Sequence, residues 1–185
     1  MLARDEEILG DVIFTAAEIR RRVRELGRRI TRDYQANEVQ LVTVLKGGVF
    51  FLADLARAIR CPVSLDFLAI SSYAGGSQSG EVRLTKDLDE SIVGRHVLIV
   101  EDVVDTGLTL GYIRRVLEQR RPASLRICIL FDRPYRRLVD LPIDYVGFEL
   151  PDLFVVGYGL DYRQRYRNLP EVRAVKPEAL ALPER

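Results

Sequence analysis

Apolar residues recur along this chain with two periods. After Thr15-Ala16-Ala17-Glu18, which fits a capping box, Ala16, Ile19, Val23, Leu26 and Ile30 repeat at helical spacing opposite an arginine-rich face. Most other apolar residues fall in short runs, at 41–45, 63–70, 97–100, 125–131, 145–148 and 154–156, each of which predicts a strand. Residues 49–59 predict a helix, and Leu110, Ile113, Val116 and Leu117 mark the buried face of another. The run Val97-Leu98-Ile99-Val100 lacks polar alternation, so it predicts a strand covered on both faces, as in a parallel sheet. Alternating strands and helices predict a single α/β domain with a mainly parallel, twisted sheet flanked by helices.

The pattern breaks where chemistry is expected. The central run continues as Glu101-Asp102-Val103-Val104-Asp105-Thr106-Gly107-Leu108-Thr109-Leu110. Two adjacent carboxylates stand at the carboxyl end of a strand, where open α/β sheets bind ligands. The turn that follows leads into a helix start, whose free N–H groups and partial positive charge suit a phosphate. On its own Asp105 would be a helix cap. Three acids beside an anion site instead suit a phosphorylated ribose. Its phosphate would meet the 105–109 turn, and its diol would meet Glu101 and Asp102, with Mg²⁺ held through water. There is no Gly-x-x-x-x-Gly-Lys-Ser/Thr loop, and Gly157-Tyr158-Gly159 lacks the third glycine of a dinucleotide fingerprint.

Composition narrows the alternatives. The 185 residues, 48% hydrophobic and 30% charged, fit one soluble domain, and a net charge of +1 leaves no global footprint for nucleic acid or membrane. No apolar run spans a bilayer and the N-terminal segment lacks a signal-peptide pattern, so a cytoplasmic protein is expected. Cys61 and Cys128 are too few for a disulfide framework or zinc cage and are expected as buried thiols. His96, the only histidine, opens the central strand at its far end, which argues against a histidine-based triad. Lysine occurs only at Lys46, Lys86 and Lys176, among many arginines. Lys46, followed by Gly47-Gly48 at a strand end, therefore suggests a compact point charge with close backbone approach. Residues 71–80, rich in Gly and Ser, predict a mobile loop long enough to act as a lid.

Residues 97–110 resemble the phosphoribosyl pyrophosphate (PRPP) motif of type I phosphoribosyltransferases. Leu45-Lys46-Gly47-Gly48 and the stretch from Phe148 to Tyr162, which contains Pro151-Asp152-Leu153-Phe154-Val155-Val156-Gly157, narrow the resemblance to the hypoxanthine-guanine branch. The resemblance covers about residues 42–169. It implies one domain over 1–185, with a core at about 35–135 and a small C-terminal hood at about 136–170 joined by N-terminal residues. It implies ribose-phosphate binding by Glu101, Asp102, Asp105, Thr106, Gly107, Leu108 and Thr109, although Leu108 lies where relatives vary and carries no side-chain role. Pyrophosphate would be bound by Lys46, Gly47, Ser72, Tyr73 and Arg167, with a non-proline cis peptide between Lys46 and Gly47. Phe154 would stack on the purine, Val155 would offer backbone hydrogen bonds, and Asp161 would lie near the exocyclic position or hold Mg²⁺. Glu101, Asp102 and Asp161 make up the implied metal set. Arg133 stands where the family usually has a Lys that donates to the purine 6-oxo group, leaving the preference among hypoxanthine, guanine and xanthine open.

The implied activity is purine salvage. The 5-phosphoribosyl group passes from PRPP to hypoxanthine or guanine, giving IMP or GMP and pyrophosphate, with Asp105 as general base. Homodimers or homotetramers are implied. One rival is an RNA-binding attenuation regulator on the same fold, whose basic face would be the arginine-rich helix around Arg20 to Arg32. Another is a pyrimidine or orotate transferase, which Phe154 with Asp161 disfavours.

Overall fold

A computed structural model describes residues 3–72 and 82–181. In chain order the first elements are α1 (Ala3–Ile8), β1 (Leu9–Phe14), α2 (Ala16–Tyr34), β2 (Val39–Val44), α3 (Val49–Ala58), β3 (Val63–Ser72) and β4 (Val82–Lys86). There follow β5 (His96–Val104), α4 (Leu108–Glu118), β6 (Ser124–Asp132), a 3₁₀ turn (Pro134–Arg136), β7 (Tyr145–Glu149), β8 (Val155–Val156), β9 (Val172–Val175) and α5 (Pro177–Leu180).

The main sheet has the order β4-β3-β2-β5-β6-β7. All its pairings are parallel except that of β4, an antiparallel edge strand. The strand β5, at the centre, is covered on both faces as its unbroken apolar run predicts. Leu98 and Val100 join the core formed with α2 and α3, while Val97 and Ile99 join Leu110, Ile113 and Leu117 of α4. Carrying this alternation forward, Glu101 falls on the α4 side and Asp102 on the α3 side.

Local signals in the sequence account for the helices. The Thr15 side chain accepts from the Glu18 N–H while Glu18 accepts from the Thr15 N–H, so the capping box is complete. Ile19, Val23, Leu26, Ile30 and Tyr34 form the buried face of α2. Gly27 lets α2 approach α3, since a Cβ there would lie 2.6 Å from that of Ala58. Both cysteines are free and buried, and His96 sits at the sheet's far end, with Nδ1 2.8 Å from Ser124 Oγ.

A second sheet, β1-β9-β8, forms the hood. It reaches Val175, beyond residue 170, and takes in residues 9–14, whereas β7 belongs to the main sheet. The strands β1, β4 and β9 have no unbroken apolar run, because each pairs at an edge or in a small sheet with one face open. Among the described residues, no helix is long and apolar enough to cross a membrane.

Candidate active site

The carboxyl ends of β2 and β5 and the hood enclose two adjoining cavities. The first, of about 170 Å³, is lined by Glu101, Val103, Val104, Asp105, Thr106, Gly107, Thr109, Leu110 and Ile113. The second, of about 330 Å³, is lined by Lys46, Gly47, Asp102, Val103, Asp105, Arg133, Phe154, Val155, Leu160, Asp161 and Arg167. Val103 and Asp105 border both, so the two form one trough across the strand ends.

The turn into α4 is built on Gly107, the helix N-cap, with φ +80°. A Cβ at that position would also approach Arg137 Cδ and Leu141 Cδ1 to 2.9 Å, so glycine serves both the backbone and the packing. The cap is thus Gly107 and not Asp105, whose carboxylate is left for another use. The first-turn N–H groups of α4 have no helical acceptor of their own; that of Leu108 donates to Thr106 Oγ1 at 3.4 Å, and Thr106, Gly107 and Thr109 of this turn line the smaller cavity. Leu108 is exposed beside this turn and does not line the cavity.

The two adjacent acids are separated by the strand pleat. Glu101 Oε1 accepts from the Val44 N–H at 2.8 Å and from Thr43 Oγ1 at 3.4 Å, locking β5 to the end of β2. Enclosure, and secondarily the Asp102 charge, push its carboxyl well above the usual carboxylate range. Asp102 faces the larger cavity with Asp161. Burial raises it, the Val103 N–H at 2.9 Å and the Arg167 charge oppose the rise, and Asp161 adds to it.

Close backbone approach explains the Lys46-Gly47 loop. A Cβ on Gly47 would lie 2.0 Å from Asp102 Oδ2. Gly159, at φ +97°, meets the same loop, because a Cβ there would lie 2.3 Å from the Gly47 carbonyl oxygen. Lys46 itself is exposed at the cavity rim. The cis peptide is one bond earlier than expected, between Leu45 and Lys46 and not between Lys46 and Gly47.

Arg167 crosses the floor of this region, with Nη1 donating to the Gly159 carbonyl at 2.7 Å and Nη2 paired with Asp161 Oδ1 at 2.5 Å. Arg133 is buried, and its Nη2 donates to the Leu153 carbonyl at 2.6 Å while its Nε is enclosed without a partner. Phe154 is 44% exposed and meets Tyr162 edge-on, with centroids 5.9 Å apart, leaving ring area for a ligand. Asp105 keeps Oδ1 enclosed without a partner, and its Oδ2 lies 3.7 Å from Arg136 Nη1.

The structure therefore brings Lys46, Gly47, Asp102, Asp105, Arg133, Phe154, Val155, Asp161 and Arg167 to one cavity, and sets Glu101, Thr106, Gly107 and Thr109 around the next. Ser71 and Ser72, expected in the loop, instead end β3, where pairing with Arg83 and Val82 of β4 extends the strand, and Tyr73 with the rest of the expected loop lies outside the described residues. Among the described residues no three His, Cys, Asp or Glu side chains converge to hold a metal by themselves. Asp102 and Asp161 nevertheless offer hard oxygen donors in one cavity, and their mutual repulsion suits Mg²⁺ that draws its other ligands from substrate oxygens and water. Gly159, Arg136 and Asp152 are not singled out by the sequence reasoning. The tight Gly157-Tyr158-Gly159 spacing was the available signal for the first; the other two are known only from side-chain contacts.

A family model described as phosphoribosyl transferase domain matches residues 11–163. The chain is 51% identical over 168 residues to the hypoxanthine phosphoribosyltransferase of Salmonella typhimurium, covering 89% of this chain and 94% of that one. It is 44% identical over 174 residues to the hypoxanthine-guanine phosphoribosyltransferase of Streptococcus thermophilus, covering 94% and 97%. The crystal structure of a hypoxanthine phosphoribosyltransferase from Staphylococcus aureus superposes with a TM-score of 0.92 at 44% identity, covering 98% of this chain and 100% of that one.

Proposed function

The chain belongs to the phosphoribosyltransferase family, and on that premise we propose that it transfers 5-phosphoribosyl from PRPP to hypoxanthine or guanine in purine salvage. The observation that carries this reading is the continuous trough. A helix-start turn suited to a phosphate passes, over Val103 and Asp105, into a cavity bearing cations, carboxylates and an open aromatic face.

In this reading the 5-phosphate sits on the backbone of Thr106 to Thr109, in a turn that Gly107 shapes and Leu108 passes through without a side-chain role. The ribose lies over Val103, with Glu101 on the phosphate side of its diol and Asp102 on the other. Lys46, the Gly47 backbone and Arg167 hold pyrophosphate, with Ser72 and Tyr73 assigned by resemblance. Phe154 stacks on the base. Val155 supplies backbone hydrogen bonds, and the free donors of Arg133 meet the 6-oxo group. Asp102 and Asp161 would hold Mg²⁺, which when bound supplies positive charge against the leaving group, while Glu101, expected as a third ligand, lies across the pleat in the other cavity and would act on the diol side.

The sugar C1–O bond to pyrophosphate breaks and a C1–N bond to the purine forms, while Asp105 takes the proton of the purine ring nitrogen. Lys46 and Arg167 stabilise the charge that develops on pyrophosphate. Turnover with PRPP and Mg²⁺ across hypoxanthine, guanine, xanthine and adenine tests the reading. Conversion of hypoxanthine or guanine supports it, and conversion of none removes it.

We place the enzyme in the cytoplasm as a homodimer or homotetramer, which light scattering of the purified chain would check. The RNA-binding rival relies on the arginines of α2, several of which are already engaged. Arg22 pairs with Glu25 and lies over Phe148, and Arg29 lies over Tyr145 and donates to the Asp144 carbonyl. Filter binding with RNA, run beside the turnover assay, separates the two.

A further inference from the structure

The 3₁₀ turn after β6 places one guanidinium between two carboxylates. Arg136 Nε and Nη2 both donate to Asp152 Oδ1, at 3.0 and 2.5 Å. Its remaining nitrogen, Nη1, stands 3.7 Å from Asp105 Oδ2, too far for a hydrogen bond. Asp152 precedes Leu153 and Phe154 in the loop that forms the base pocket, and Asp105 is the general base of the reading above, on which this inference rests. With Oδ1 of Asp105 enclosed, Oδ2 is the oxygen open to a substrate proton, and it is the oxygen that Arg136 faces.

We propose that Asp152 is a positioning residue that holds Arg136 off Asp105, keeping the base oxygen free to accept the purine proton. A forked guanidinium next to an exposed carboxylate tends to close into a two-point ion pair. Such a pair would occupy Oδ2 with donors and oppose protonation of Asp105 during transfer. Asp152 prevents closure by taking two of the three guanidinium nitrogens, leaving Arg136 as a nearby charge that does not donate. The charged or titratable side chains that share a cavity with Asp105 are Glu101 in the smaller one and Lys46, Asp102, Arg133, Asp161 and Arg167 in the larger, and Tyr135 lies near enough to feel its charge; only Arg136 stands within ion-pair distance of it among the described residues.

Asp152 is 64% exposed, so replacing it should leave the fold intact and release Arg136. Asp152→Ala is expected to lower kcat about fivefold, as suits an exposed ion pair, with the base KM unchanged. Adding Arg136→Gln to that variant removes the released cation and should restore kcat to near the wild-type value. A residue that merely supports the Phe154 loop would raise the base KM, and a second substitution would not rescue it. Unchanged kcat in Asp152→Ala, a raised base KM, or a double variant no faster than the single one would each overturn the proposal. Inactivity of the wild-type chain with PRPP and every purine would instead remove the reading on which the pair rests.

Discussion

Replacing Gly47 by Ala tests the contact on which the trough depends. The added methyl group would fall 2.0 Å from Asp102 Oδ2, 3.1 Å from Asp102 Cγ and 3.4 Å from the Gly159 carbonyl. Asp102 is only 9% exposed and accepts from the Val103 N–H at 2.9 Å, so it has little room to yield. Moving its carboxylate by roughly 1 Å would force a poor rotamer, at about 0.5–1.5 kcal/mol. Losing the hydrogen bond would add about 0.5–1.5 kcal/mol. A destabilisation of about 1–3 kcal/mol corresponds to a Tm lowered by roughly 2–12 °C in a domain of this length. The same displacement would move Asp102 away from the position proposed for the ribose, so the PRPP KM should rise about tenfold, a cost of about 1.4 kcal/mol, while the purine KM changes little. Calorimetry and KM values measured separately for each substrate would show this. Gly94→Ala is the control, because φ is +69° there and no atom lies within 4 Å of the added methyl group. It should lower Tm through backbone strain, by about 1–2 kcal/mol, without touching either KM. Wild-type Tm and wild-type PRPP KM in Gly47→Ala would refute the close-approach reasoning.

Other outcomes follow from the same geometry. Asp105→Asn should reduce kcat by about 10²–10⁴-fold with smaller changes in binding, as measured by steady-state kinetics and product-nucleotide affinity. Phe154→Ala should raise the purine KM by roughly 2- to 12-fold, the equivalent of about 0.5–1.5 kcal/mol of lost ring contact, and leave the PRPP KM near its original value. Glu101 has its carboxyl pushed up by burial and then by Asp102, so its ionisation favours the unfolded chain, and the stability present at low pH is lost as pH rises above its ordinary range. Glu101→Gln should therefore raise Tm at neutral pH, with a gap that closes towards pH 4, although PRPP binding weakens. A Tm below wild type at neutral pH would count against enclosure of that carboxylate.

Much of the frame was legible from the chain by itself, because periodicity is a local property. The capping box at Thr15 and Glu18, the face of α2, the two-sided burial of β5 and the phosphate-type turn at Gly107 all follow from residue type and spacing. The motif from Glu101 to Thr109 also pointed to the place proposed above for a phosphorylated sugar, since strand ends and helix starts carry their chemistry wherever they are placed. Only the tertiary structure decided how the parts divide. The pleat sends Glu101 and Asp102 to different cavities, and the second sheet enrols residues 9–14 and 172–175, whose short half-open strands leave little pattern to read. Gly47 against Asp102, Gly159 against Gly47, and Arg136 between Asp105 and Asp152 join segments from different elements, with partners at least 16 positions apart in the chain. Such contacts depend on atoms meeting across the fold, at distances that no local pattern of residues encodes.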